Sequence, residues 1–327
     1  MRILVWPVHG GWMNGFARGR HDYLLPVDDA PAGLPPAARA VDPAQITRDD
    51  VDVVVLQRLE ELAEVERILG CLPGRDVPAV FVEHNTPKQD PVDQRHPLAD
   101  QNRIPIVHVT HFNRLMWDNG HAPTVVIEHG IPDPGHLYTG EIPALGTVVN
   151  EPVRRGRVTG TDLLPLFARS APVHAFGIDA DLLPDALGLG PDRLQVVGDL
   201  PMPRMHAQLA RRRAYLHPIR WTSLGLSLLE AMSLGMPVLA LASTEASRAV
   251  PPEAGAISAD PDELAAAARM LMHDSDEAHH RGTVARTFAQ ERYGLLPFLH
   301  AWDSVLEEAV TADARPIPSR SAAAGTL

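Results

Sequence analysis

Residues 217–241, HPIRWTSLGLSLLEAMSLGMPVLAL, constrain the fold more than any other stretch of this chain. A polar loop from His217 to Ser223 runs into a compact apolar segment containing Gly225, Glu230 and Met232, and this predicts a helix. Gly235 supplies the left-handed residue on which many helices stop, and Met236 to Leu241 has the unbroken apolarity of a strand covered on both faces. Loop, helix and buried strand in that order belong to a parallel α/β sheet. A helix starting at Gly225 leaves backbone N–H groups unpaired, with the positive end of the helix dipole behind them, which is a natural seat for phosphate. Glu230, about one turn further on, has two readings. Ser227-Leu-Leu-Glu230 fits a capping box, and the same carboxylate could accept hydrogen bonds from a pair of sugar hydroxyls.

With 327 residues the chain has room for two domains, each able to bury a core. A net charge of −12 argues against general nucleic-acid binding, which needs a basic face. Cys71 is the single cysteine, so neither an intrachain disulfide nor a cysteine metal cluster can form, and a reducing compartment fits. Met1 to Trp6 is too short an apolar run for a signal peptide, and nothing reaches the roughly 18 apolar residues of a membrane span. The expected location is the cytoplasm, with peripheral membrane contact left open.

Along the chain, Ile3–Trp6 predicts a first buried strand followed by a loop carrying Gly10 and Gly11. Backbone amides at that glycine pair could face a phosphate or an acceptor, and an ordinary tight turn is the alternative. Asp22–Val27 and Val51–Leu56 predict strands, Leu59–Leu69 an amphipathic helix closed by Gly70, and Val77–Val82 a strand that delivers His84 at its carboxyl end. His84 can donate a hydrogen bond and titrate near neutrality beside a ligand; a histidine satisfied by loop carbonyls is the competing reading. Ile104–Thr110 predicts another strand and His111–Asp118 a helix. Thr139–Ala144 reads as a linker between domains. Beyond it, Arg154, Arg155 and Arg157 crowd into four residues of an acidic protein, and forked guanidinium donors suit a diphosphate. Pro172–Gly177 and Leu194–Gly198 predict strands. Arg204–Tyr215 predicts a helix with Arg211 to Arg213 on its surface, as Arg18 and Arg20 are expected to be solvated near the amino terminus. Asp260-Pro261 starts a well-capped helix, Phe298–Val310 predicts a last one, and residues 312–327 read as a disordered tail. His273, His279 and His280 lie near acids without any metal-ligand spacing, so no metal is expected.

These residues together resemble the retaining glycosyltransferases of the GT-B fold, family 4. The family signature E-G-F-G-x-x-x-x-E-A-M-x-x-G-x-P-V is matched by Gly225, Glu230-Ala231-Met232, Gly235 and Pro237-Val238, with Thr222 where the first glutamate stands. Its G-R-x-x-x-x-K-G-x-D-x-L-L segment is matched by Arg154, Gly160, Asp162 and Leu164, with Thr159 at the lysine position. The Gly198–Pro201 loop, through Leu200, resembles the segment that frames the nucleotide base, and His84 takes the place of the family's active-site histidine.

The resemblance implies an α/β GT-B architecture: two Rossmann-like domains facing across a cleft, the N-terminal one abbreviated. Residues 1–140 would form the acceptor side, residues 141–296 the nucleotide-sugar domain, and a C-terminal helix over 297–311 would pack back onto the first. It further implies metal-independent transfer of a sugar, with retention, from a nucleotide-diphosphate sugar to a small-molecule, glycan or lipid acceptor, with no cofactor besides the donor. In that reading Arg154 and Arg157 bind the diphosphate, with Arg157 replacing the missing lysine. Gly225 and Leu226 offer amides, Thr222 meets the donor sugar, Leu200 flanks the base and Glu230 holds the ribose. His84 and Gly10-Gly11 face the reacting sugar or acceptor. The charge lost at Thr159 and Thr222 keeps a second reading open, a non-catalytic relative that binds a nucleotide-sugar or a partner enzyme.

Overall fold

The computed structural model describes residues 1–313. Seven strands form a first, wholly parallel sheet: β1 (Arg2–Val5), β2 (Asp22–Leu25), β3 (Ala38–Ala40), β4 (Val53–Leu56), β5 (Ala79–Glu83), β6 (Ile106–His108) and β7 (Thr124–Val126). Their spatial order is β3-β2-β1-β4-β5-β6-β7. Six more strands form a second parallel sheet: β8 (Ile142–Val148), β9 (Val173–Phe176), β10 (Leu194–Gly198), β11 (Arg212–His217), β12 (Val238–Leu241) and β13 (Gly255–Ser258), in the order β10-β9-β8-β11-β12-β13. The two sheets repeat one doubly wound plan. In each the strand order reverses once, between β1 and β4 and between β8 and β11, and ligands of such sheets sit beyond the carboxyl ends of the strands at that reversal.

Helices cover both faces of each sheet. They are α1 (Gly10–Phe16), α2 (Glu60–Leu69), α3 (His111–Met116), α4 (Pro152–Arg155), α5 (Leu164–Phe167), α6 (Leu183–Leu187), α7 (Met202–Leu209), α8 (Leu226–Leu234), α9 (Ala246–Ala249), α10 (Pro261–His273), α11 (Ser275–Tyr293) and α12 (Leu295–Asp313). One face of the first sheet packs against α1 and α12 through Val5, Val82, Trp12, Phe298, Trp302 and Leu306, and the other against α2 through Val54, Phe81 and Val65. The second sheet lies between α8 with α11 on one side and α10 with the short α5 and α6 on the other. The last helix therefore leaves the second sheet and returns to the first, as the apolar spacing of Phe298, Trp302 and Leu306 requires of a helix with one buried stripe.

The abbreviation of the first half lies in its connections. Between β2 and β4 the chain runs through the three-residue β3 and a single 3₁₀ turn at Arg48–Asp50 instead of full helices.

Several expectations need correction. Gly10 and Gly11 are not a loop but the first turn of α1. The helix expected over Arg204–Tyr215 stops at Leu209, and Arg212–His217 is the central strand β11. Arg212 is buried there, with its guanidinium 5.1 Å from the centroid of the Phe176 ring, so a run read as surface charge lies inside the sheet. The stretch read as a linker already contains the start of β8 at Ile142, and Thr139 N donates to Ala210 O. Arg20 is largely exposed, as expected, and also pairs with Asp303 and Glu307 of α12. Strands β3, β7, β8 and β13 are not among the expected strands; Ala38–Ala40 and Gly255–Ser258 are three or four residues with at most one large apolar side chain and carry little apolar signal. Helix α12 runs to Asp313, past position 312, the expected start of a disordered tail; residues 314–327, the rest of that expectation, lie outside the described residues.

Candidate active site

The reversal of strand order in the second sheet brings together the two segments singled out for phosphate. The arginine turn follows β8 and the Gly225 loop follows β11, its neighbour in the sheet. The two touch directly: Arg220 N donates to Val158 O at 2.9 Å, and Arg220 Nη1 donates to Arg157 O at 2.9 Å. Gly160, at φ 74°, allows this contact, because a Cβ there would stand 1.9 Å from Pro218 O.

Helix α8 starts at Gly225 with no side-chain cap, so its first amides remain available. The capping box does not form. Ser227 Oγ accepts from Tyr215 Oη at 2.9 Å, and Glu230 is buried with its Oε2 3.4 Å from His206 Nε2 of α7. Gly225 is needed for a second reason, since a Cβ would meet His217 Cε1 at 2.8 Å. Leu200 lies between β10 and α7, half-buried against the core under α8.

The arginines are occupied. Arg154 forms a two-pronged pair with Glu151, and Arg157 Nη1 reaches Asp162 at 2.8 Å. Arg220, half-buried, also grips Asp162 with two donors. Asp162, with its carboxyl held below the usual range by Arg220 first, is thus the hinge pin of the turn. Thr159, at the position of the family's lysine, is buried with its hydroxyl bonded to Gly156 O at 3.0 Å. Thr222 lies half-buried in the loop ahead of α8. Because Arg157 is three-quarters exposed and Arg220 only 28%, Arg220→Ala is expected to weaken anion binding at the α8 start more than Arg157→Ala. Titration of both variants with inorganic pyrophosphate checks the order; a larger loss in Arg157→Ala would assign the role to Arg157 instead.

In the first half, three histidines come together at strand ends: His9 after β1, His84 after β5 and His129 after β7. The rings of His9 and His84 stack with centroids 3.9 Å apart, and Trp12 of α1 meets His84 edge-on at 5.2 Å. Burial holds all three neutral. It pushes His84 well below its ordinary value, with the neighbouring His9 and His129 adding to the effect, and takes His129 to about 4. Both ring nitrogens of His129 are buried without a partner among the described residues.

The two halves meet at this point. A Cβ on Gly11 would lie 2.7 Å from Leu226 Cδ1, so the first turn of α1 sits against the first residue of α8. Two further bonds join the halves nearby. Trp221 Nε1 donates to Pro87 O at 2.9 Å, and Phe112 N at the start of α3 donates to the buried carboxylate of Glu245 at 2.7 Å. Sequence reading passed over His9, Gln57, His129, Arg220 and Glu245 as site residues. The available signal for the first three was their position just beyond β1, β4 and β7, the end where such sheets bind ligands. A separate cavity of about 520 Å³ lies at the opposite, amino-terminal ends of β5, β6 and β7, lined by Pro78, Pro105, Pro123 and Val305, and none of these groups reaches it.

Two parallel sheets with one reversal each, joined by a returning C-terminal helix, have counterparts among solved structures. The sucrose-phosphate synthase of Thermosynechococcus elongatus superposes with a TM-score of 0.71 at 14% identity, over 95% of this chain and 100% of that one. The fold is GT-B. Anabaena HepE, solved in complex with UDP, gives a TM-score of 0.67 at 16% identity over 94% of this chain and 100% of its own. S. aureus TarM, in a complex with UDP and α-GlcNAc-glycerol, gives 0.61 at 15% identity over 78% of this chain and 55% of its own. In sequence, residues 168–274 match the family model for glycosyl transferases group 1, a span running from just after α5 to the end of α10 and including β11, the Gly225 loop and α8. No curated protein matches the chain in sequence. The fold is thus shared with these glycosyltransferases, and residues 168–274 resemble the group 1 family in sequence. Among the described residues no helix is long and apolar enough to cross a membrane.

Proposed function

We propose that this GT-B chain transfers a sugar from a nucleotide-diphosphate sugar to a hydroxyl-bearing acceptor, with retention at the anomeric carbon and without a metal ion. The observation that carries the reading is the meeting of the uncapped α8 start with the neutral histidine cluster, through Gly11 against Leu226. A diphosphate at the first amides of α8 would be held by the helix dipole and by the Arg154, Arg157 and Arg220 turn, which offsets the charge that develops on the leaving group. Glu230 then lies one turn into the helix for the ribose hydroxyls, and Leu200 flanks the base. The acceptor enters from residues 1–140, against His84 and α1, while residues 141–296 hold the donor. UDP in the HepE and TarM complexes supports a uridine diphosphate donor here. The proposed setting is the cytoplasm.

A panel of nucleotide-sugars, read by thermal shift and by donor hydrolysis, tests this. Binding together with slow hydrolysis is expected for at least one donor. Binding without hydrolysis or transfer to any acceptor would instead identify a non-catalytic relative, a reading favoured by the buried Thr159 hydroxyl where the family has a cation.

The division of labour has its own expected outcome. Glu230→Gln should raise donor Kd by about tenfold or more with little change in turnover, the cost of charge-assisted bonds to two hydroxyls. His84→Ala should lower kcat and leave donor Kd close to unchanged. The reverse pattern in binding and steady-state kinetics would invert the two assignments.

A further inference from the structure

Gln57, the first residue beyond β4, sits between β1 and the histidine cluster and makes three side-chain contacts, all buried. Its Nε2 lies 2.6 Å from Trp6 O and 3.8 Å from Met13 Sδ, and its Oε1 lies 3.0 Å from His84 Nε2. A backbone carbonyl and a thioether are both acceptors, so the NH₂ end of the amide must face them and the oxygen must face His84. An oxygen acceptor there requires a hydrogen on His84 Nε2. The residue that imposes this is itself fixed: the buried Glu61 carboxylate accepts from Gln57 N at 2.6 Å and from Arg58 N at 3.2 Å, which pins the turn between β4 and α2.

We infer that Gln57 is a positioning residue that holds His84 as the Nε2–H tautomer and so leaves Nδ1 as a hydrogen-bond acceptor for a substrate hydroxyl. Nδ1 has no partner among the described residues, and unlike both ring nitrogens of His129 it is not sealed from solvent. The direction of the bond matters chemically. A neutral imidazole with a bare Nδ1 accepts a hydroxyl proton in a hydrogen bond, whereas the opposite tautomer would offer a donor. The inference rests on the reading of His84 as facing the reacting sugar or acceptor, but the tautomer itself does not. The titratable and charged groups around the ring are His9 and His129, and Glu83, Arg58 and Lys88 act on His9 in turn.

The test uses the full-length protein with ¹⁵N-labelled histidine, comparing wild type with Gln57→Met and Gln57→Glu, while circular dichroism confirms that each variant folds. Wild-type His84 is expected to show a protonated Nε2 and a bare Nδ1, unchanged from pH 8 to pH 5.5. A carboxylate at position 57 should draw a second proton onto His84, giving imidazolium signals near neutral pH, while methionine should release the ring to a mixture of tautomers. With a donor found in the nucleotide-sugar panel, Gln57→Met should lower kcat by about tenfold, the worth of one neutral hydrogen bond, with donor KM little changed. A bare Nε2 on His84 in the wild-type protein, or a His84 signal that neither substitution alters, overturns the inference even if the chain transfers sugar. The expected tautomer in a chain that hydrolyses no donor would leave Gln57 in its positioning role and refute the transferase reading alone.

Discussion

Gly160→Ala is expected to destabilise the chain by about 2–4 kcal/mol and to abolish high-affinity donor binding. Two independent effects add. The residue sits at φ 74°, where any side chain carries a strain of about 1–2 kcal/mol. A Cβ would also stand 1.9 Å from Pro218 O and 2.8 Å from Pro218 Cβ, and a main-chain carbonyl cannot rotate away as a flexible side chain can. The 156–160 turn must therefore part from the 218–221 loop, breaking the bonds of Arg220 to Val158 O and Arg157 O that bring the arginine turn beside the α8 start. Gly188→Ala is the matched control. Gly188, at φ 62° and ψ 34°, occupies the same left-handed well but has nothing within 4 Å of its Cβ direction, so it suffers strain without collision. Urea denaturation and nucleotide-sugar titration of both variants decide the matter: losses no larger at Gly160 than at Gly188 would show that the contact does not hold the site together.

Acidification should be the other large effect. Burial lowers His108, His129 and His217 to about 4 each, and His84 well below its ordinary value, while in the unfolded chain all of them titrate near the ordinary histidine value of about 6.5. Between those limits the unfolded chain binds more protons than the folded one, so stability is whole above pH 6.5 and falls continuously as the pH drops towards 4. One shift of this size is worth up to about 3 kcal/mol, so the three together are comparable with the 5–15 kcal/mol by which ordinary domains are stable. The carboxyls of Asp52 and Asp133, lowered chiefly by their bonds to Arg2 and Arg286, add to the loss only near and below pH 4. Urea midpoints measured at pH 8, 6.5, 5 and 4 should therefore decline in the histidine window before the carboxylates contribute. A midpoint that stays level from pH 8 to pH 5 would mean that the buried rings are reached by water or by compensating acids.

How far the residues announced the site can be judged from single cases. The placement of Gly225 at a helix start and of Glu230 inside that helix was legible because a glycine-led helix and an acid one turn later leave a local pattern, and the structure makes one the uncapped start of α8 and buries the other within it. The competing capping box failed for a reason no local pattern contains: Tyr215, on the neighbouring strand, takes the Ser227 hydroxyl. Arg211 to Arg213 misled in the same way, since charge density suggests surface, yet Arg212 is buried, its Nε bonded to His174 Nδ1 at 3.1 Å with its plane over Phe176. Gln57 gave no signal at all, because one amide beyond a strand matters only once another strand end supplies its partner.

Sequence alone determined the α/β class, most of the strands and the existence of the last helix, all of which depend on contacts within about a dozen residues. Only the tertiary structure decided which charges were free, which histidines shared one buried cluster and how the two halves met at Gly11 and Leu226. Those outcomes depend on which strands lie side by side, and residues from 45 positions apart, as His84 and His129 are, to 215, as Gly11 and Leu226 are, acquire a common environment only when the sheets have formed.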